Sequence, residues 1–142
     1  EIYMGDWSSD VCSSDLVEGR VRFAGAVAHG DLARYYSAAD ALVLASSREG
    51  LANVLLESIA CGNPVVATDV NGTAEVVRDP AAGMLVRERS ASGIAAAVRE
   101  LFARYPDRAA TRRHAQAFGW EATTRGQLAM FHAALGRRQV LA

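Results

Sequence analysis

At 142 residues, 51% of them hydrophobic, the chain has the length of one domain and the material for a sizeable core. Its formal net charge of −1, with all 15 basic residues being Arg, gives no nucleic-acid footprint, and no apolar run nears the roughly 20 residues that span a bilayer or has the segment order of a signal peptide. Two cysteines, Cys12 and Cys61, make neither a disulfide framework nor a metal site, so a reduced, cytoplasmic setting is the default expectation.

Residues 1–16, EIYMGDWSSDVCSSDL, stand apart from the rest of the chain. They contain no Ala and no Arg, and they carry four acidic residues and no basic one. Without them the formal charge becomes +3. The piece DWSSDVCSSDL is similar to the translation of a sequencing adapter. The segment is therefore expected to be extraneous and is kept out of the functional reading. The competing expectation is a native strand over Ile2–Gly5 followed by a Gly-Asp turn.

Val21 to Gly25 reads as a short strand. Asp31 is placed to cap a helix carrying Leu32, Tyr35 and Tyr36. Ala41 to Ala45 is a continuous apolar run, the pattern of a strand buried on both faces. A helix is expected from Asn53, acting as its cap, to Cys61, with Gly62 as the stop. Pro64 opens a strand over Val65–Thr68, Asn71-Gly72 signals a turn, and a short helix is expected over Thr73–Val77. Gly83 to Val86 is a last strand. Ile94, Val98, Leu101 and Phe102 have helical spacing, Pro106 ends that helix, and two more come after it, about 107–117 and 120–135. Strands alternating with helices predict an α/β fold with a parallel sheet and right-handed crossovers. Ligands in such sheets bind beyond the carboxyl ends of the strands. Glu49-Gly50 and residues 69–72 follow successive strands and reach that edge.

Glu49 and Glu57 are the most telling pair. They flank SREGLANVLLE, a loop with a Gly, an Asn and the start of an apolar helix. Two carboxylates there suit a ligand rich in hydroxyls, and free helix N–H groups suit an anion. Taken alone, Glu57 is equally well read as an ordinary carboxylate near the positive end of a helix, and Glu49 as a solvated loop residue.

The string SSREGLANVLLESIACGNPVVATDVNGTAEVV resembles the E-x7-E region of GT-B glycosyltransferases, specifically the retaining family 4, glycosyl transferases group 1. The resemblance runs from about Val21 to Leu135. It takes in VRFAGAV and DLARYYSAADALVLAS upstream, and GMLV and the Phe118-Gly119-Trp120 lead-in to the last helix downstream. It implies a Rossmann-like parallel sheet, the C-terminal half of a GT-B fold, N-terminally truncated, with residues 17–142 as a nucleotide-sugar-binding domain.

By that resemblance Glu57 accepts hydrogen bonds from the ribose hydroxyls of the donor. Glu49 contacts the donor sugar and is the candidate catalytic residue. Gly50, Leu51, Asn53, Val54 and Leu55 complete the donor site, the amides of Val54 and Leu55 facing the diphosphate. No metal or other cofactor is implied. The acceptor, a glycan or lipid-linked glycan, would be met through an N-terminal domain. Leu51-Ala52 departs from the commoner aromatic or Phe-Gly pair, and Asn71-Gly72 from the commoner Gly-Gly, although Asn tolerates positive φ. Glu75 matches a Glu of that loop, with a capping role equally open. The Arg and Lys that clamp the diphosphate in the family have no counterpart here. A helix end carries only about half a unit charge, too little to hold a diphosphate tightly alone. A GT-B nucleotide-sugar epimerase and a non-catalytic binding module are the alternatives. His29, His114 and His132 are expected at the surface. Arg112, Arg113, Arg137 and Arg138 are expected to form a solvated basic face, with peripheral membrane contact as its lesser reading.

The family's usual strand order, 3-2-1-4-5-6, leaves 41–45, 65–68 and 83–86 as natural neighbours. VRFAG would then dangle, pair wrongly, or lean on Ile2–Gly5. The last helix, with Trp120, Leu128, Phe131 and Leu135 on one face, would lack part of its partner surface.

Overall fold

The structure, a computed structural model, describes residues 20–139, with side chains through residue 136. The expected strand Ile2–Gly5, the segment 1–16 and the Arg137 and Arg138 side chains lie outside the described residues.

The chain divides into two compact units, one ending at Leu32 and the other beginning at Ala33. In the first, residues 21–25 are not a strand, which corrects the sequence expectation. Val21 is 50% and Phe23 57% exposed. An apolar alternating run becomes a strand only when a neighbour fills its ladder. Helix α1 spans His29–Ala38, so Asp31 lies inside its first turn and is not its cap.

The second unit is a three-layer sandwich. Its strands β1 (Leu42–Leu44), β2 (Val65–Thr68) and β3 (Gly83–Val86) form a parallel sheet in the order β1-β2-β3, the neighbours expected from the sequence. Leu42, Val43 and Leu44 pair with Val65, Val66 and Ala67, and Val65 to Thr68 pair with Gly83 to Val86. Helices α2 (Asn53–Ala60) and α5 (Arg108–Ala115) cover one face, and α4 (Ala91–Ala103) covers the other. Val65 and Ala67 point into the first layer with Leu55, Ile59 and Val76. Val66 points into the second with Val86, Ala97 and Leu101. All four β2 residues are buried, as expected of a strand with neighbours on both sides and helices on both faces.

The run 41–45 is corrected on two points. Only Leu42–Leu44 is strand, and it is not buried on both faces, since Val43 is 46% exposed. It shares the α4 face with Val66, but the α4 layer does not cover it. Phe102, expected in the apolar stripe of α4, is likewise half-exposed, its ring centroid 5.7 Å from that of Tyr105.

Helix ends are set by local chemistry. Ser90 Oγ accepts from the Gly93 amide at 3.0 Å to cap α4, and Asp107 Oδ1 accepts from Ala110 at 2.8 Å to cap α5. α2 ends in a Schellman motif: Gly62 N–H donates to Ile59 O and Asn63 N–H to Ser58 O. Gly62 has φ +74°, and a Cβ there would lie 2.8 Å from Arg108 O. The Asn63 amide donates to Ser58 Oγ at 2.9 Å, and that hydroxyl donates back to Asn63 O at 3.0 Å. Arg108 spreads its fork over the end of α1, Nη1 to Ala39 O at 3.0 Å and Nη2 to Ser37 O at 2.9 Å. After a 3-10 turn over Gln116–Phe118, α6 runs Trp120–Gln139. Every residue from Gly119 to Gly136 is exposed.

Candidate functional site at the carboxyl edge of the sheet

Three parallel strands end at one edge, and the loops leaving them are tied together. The loop after β1 runs 45–52 and leads into α2; that after β2 runs 69–72 and leads into α3 (Thr73–Val76). At the end of β2, Thr68 Oγ1 donates to Ser46 O at 2.5 Å. Ser46 Oγ donates to Glu49 Oε1 at 2.5 Å, a charge-assisted bond that fixes the carboxylate. From the next loop Asn71 Nδ2 donates to Glu49 O at 2.7 Å. Asn71 has φ 43°, so the left-handed conformation allowed for Asn is the one adopted. Gly72 abuts the first loop: a Cβ on it would lie 2.8 Å from Gly50 O. Arg89, from the loop after β3, donates from Nη1 to Ser47 O at 3.0 Å.

Glu57 is held elsewhere. Tyr36 OH donates to its Oε2 at 3.2 Å. Burial, then the Glu57 charge and this hydrogen bond, push the Tyr36 phenol above its ordinary value. Among the described residues no hydrogen bond joins Glu49 to Glu57, so each carboxylate has its own anchor.

Three local expectations are corrected. Asn53 is the first helical residue of α2, while Ala52 holds the cap position and offers no side-chain acceptor. Glu57, read from the sequence as near the positive end of the helix, is its fifth residue, one position further in than an Asn53 cap would put it, where the dipole does less for it. The Leu55 amide is not free, because it donates to Ala52 O at 3.0 Å, and the Leu55 side chain is fully buried in the core. Asn53 and Val54, at the first two helical positions, are the amides without an intrahelical acceptor. Gly50 and Leu51 stand at the open surface of the loop, Leu51 half-exposed.

Sequence reasoning misses Ser46, Thr68, Asn71, Arg89 and Tyr36 as partners of the two Glu residues and their loop. Asn71 carries a signal, an amide beside a turn Gly; Arg89 and Tyr36, 42 and 21 positions from their partners, carry none. His114 is corrected from surface to half-buried: its Nε2 lies 2.9 Å from Val76 O and its ring meets Phe118 edge-on. Arg112 and Arg113 are exposed, as expected of a solvated face. Among the described residues no cluster of three His, Cys, Asp or Glu is placed to hold a metal ion, and no helix is long and apolar enough to cross a membrane. A cavity of about 530 Å³ lies between the end of β3 and α4, rimmed by Asp69, Arg87 and Glu100. It includes neither Glu49 nor Glu57, and its charged groups are all exposed.

The sequence and the parallel α/β fold have counterparts among known proteins. The family model for glycosyl transferases group 1 matches residues 4–104, and the chain belongs to that family. D-inositol 3-phosphate glycosyltransferase of Geodermatophilus obscurus is 45% identical over 104 residues, 72% of this chain and 23% of that protein. The protein of the same name from Mycobacterium bovis is 38% identical over 127 residues, 84% of this chain and 26% of its own length. Sucrose-phosphate synthase from Thermosynechococcus elongatus, a GT-B glycosyltransferase, superposes with a TM-score of 0.67 at 35% identity, over 84% of this chain and 33% of that one. The chain thus spans between 23% and 33% of the length of these relatives. Its fold is α/β with a three-stranded parallel sheet matching part of a GT-B enzyme.

Proposed function

We propose that this chain is the donor-binding half of a retaining glycosyltransferase that moves a sugar from a nucleotide diphosphate donor to a glycan or lipid-linked acceptor. The observation that carries the proposal is the ordered Glu49 loop at the carboxyl edge of the sheet, running straight into α2. On this reading Glu57 receives the ribose hydroxyls, its Oε1 remaining available while Tyr36 holds Oε2. Glu49 meets hydroxyls of the donor sugar, with Gly50 and Leu51 shaping the loop. The diphosphate lies over the start of α2, where the amides of Asn53 and Val54, more than that of Leu55, point outward. In transfer, the bond from the anomeric carbon to the diphosphate oxygen breaks. The acceptor oxygen bonds to that carbon from the same face, and its proton passes to the leaving diphosphate. The acceptor would be met through a further domain, and D-inositol 3-phosphate, named in two relatives, is the first acceptor to try. A cytoplasmic setting, with the Arg-rich helices as a peripheral membrane contact, fits a donor made from nucleotides.

Titration calorimetry with nucleoside diphosphates, on the full-length product of the gene, tests the site. Glu57→Ala is expected to weaken binding by about 1.5–3 kcal/mol, the range for hydrogen bonds to a charged group. Unchanged affinity would remove the ribose assignment. We also propose that residues 1–16 are extraneous, on their composition break; the family match beginning at residue 4 weighs against this. A contiguous genomic read encoding 1–16 in frame would end that idea.

A further inference from the structure

We propose that Asn71 is a positioning residue for Glu49: its amide, reaching across from the loop after β2, sets the direction in which the Glu49 carboxylate meets the donor sugar. The assignment rests on the donor-site reading above.

Three observations converge on it. The Nδ2–O distance to Glu49 is 2.7 Å, short for a neutral amide bond. The backbone of Asn71 is in the left-handed region, at φ 43°, a conformation that most side chains enter only at a cost. And the next residue, Gly72, faces Gly50 O so nearly that a Cβ on it would lie 2.8 Å from that oxygen, which sets the two loops side by side. The loop after β1 is thus pinned twice at Glu49, once at its side chain and once at its main chain. Ser46 takes Glu49 Oε1, and Asn71 takes the Glu49 carbonyl. With one carboxylate oxygen and the main chain both fixed, Oε2 is the oxygen presented to a ligand. A carboxylate aimed in advance loses less freedom on binding than one that must be ordered by its ligand. Glu57 has no part in this arrangement, being tied to Tyr36. Asn71 should therefore act on the sugar end of the donor and not on the nucleotide end.

Asn71→Gly is the informative substitution. Glycine adopts the same φ without strain, so only the amide is lost. Asn71→Asp is its companion: the shape is kept, but a carboxylate cannot donate to the Glu49 carbonyl. Two measurements are made on the full-length gene product. Amide hydrogen exchange is expected to rise about fivefold in residues 46–52 of Asn71→Gly and to stay level in 55–60, the scale of one net hydrogen bond. Calorimetry then compares UDP with UDP-glucose and GDP with GDP-mannose, using the pair that the parent binds. Both variants should hold the bare nucleotide within about twofold of the parent. Both should lose about fivefold of the affinity that the sugar adds.

Unchanged exchange in 46–52 overturns the assignment. So does faster exchange with the sugar increment intact, and so does an equal loss for nucleotide and nucleotide sugar, which would mark a merely structural contact. If neither pair binds the parent, or if Glu57→Ala leaves nucleotide binding intact, the donor-site reading falls and this assignment falls with it. The exchange result distinguishes that failure from a failure of the clamp itself.

Discussion

Strands β1 and β2 are both short, mainly apolar runs, LVL and VVAT, and they have different fates. Every residue of β2 is buried, whereas Val43, at the centre of β1, is 46% exposed. Both strands have the Leu/Val/Ala composition of a buried parallel strand. The difference is made by what lies over them: α4 covers Val66 and Val86 but stops short of Val43. Helices show the same split. Leu55 and Ile59 of α2 are fully buried, while Leu128, Phe131 and Leu135 of α6 are all more than half exposed. Apolar pattern states what a segment can bury; the neighbours decide whether it does.

The largest effect should come from a pair of truncations that measure this split. Leu55→Ala is expected to cost about 2–5 kcal/mol, by lost burial and the cavity left behind. Phe131→Ala should fall within about 0.5 kcal/mol of the parent, as surface substitutions do. Denaturant titration of both decides; a comparable loss for Phe131→Ala would mean that α6 has a partner surface after all. Next come the strands themselves. Val66→Ala should cost about 1.5–3 kcal/mol, and Val43→Ala less than about 1 kcal/mol, a matter of strand preference. Equal losses would erase the contrast.

A smaller effect is expected at the end of α2. Gly62→Ala places a Cβ at φ +74° and 2.8 Å from Arg108 O, so a loss of about 1–2 kcal/mol should appear in the melting curve. The smallest concerns Tyr36. Its phenol is held above the ordinary value, so the folded state prefers the neutral form. That contribution is present below the usual tyrosine range, about pH 10, and is lost as pH rises through the raised value. The melting temperature of the parent should fall relative to Tyr36→Phe between about pH 9 and pH 11, and a constant difference would separate Tyr36 from Glu57.

Much of the second unit is legible in the amino-acid sequence. Continuous apolar runs mark the three strands, and Gly62 after an apolar helix marks its end, since the left-handed residue a Schellman motif needs is usually Gly. Errors arise where a rule of sequence meets a backbone already committed. Asn53 is a good cap by type, but its own backbone is helical, so the cap falls on Ala52 and Glu57 moves one residue further from the helix start. Residues 21–25 alternate like a strand, yet they form none. At the site, Glu49 and Glu57 are visible through the string around them. Their long-range partners are harder to see: Tyr36 approaches Glu57 from another element and leaves no spacing to read, and Asn71 shows only as an amide beside a turn Gly.

Helix α6 carries one more consequence. Exposed along its described side chains and with Gly126 and Gly136 inside its span, it draws its helicity from its own residues, with each Gly costing about 1 kcal/mol relative to Ala. Helices of that kind unwind gradually on warming and do not share a cooperative transition. Circular dichroism at 222 nm should therefore slope steadily downward well before the sheet melts. The slope should vanish, with the main transition unmoved, when residues 120–142 are deleted.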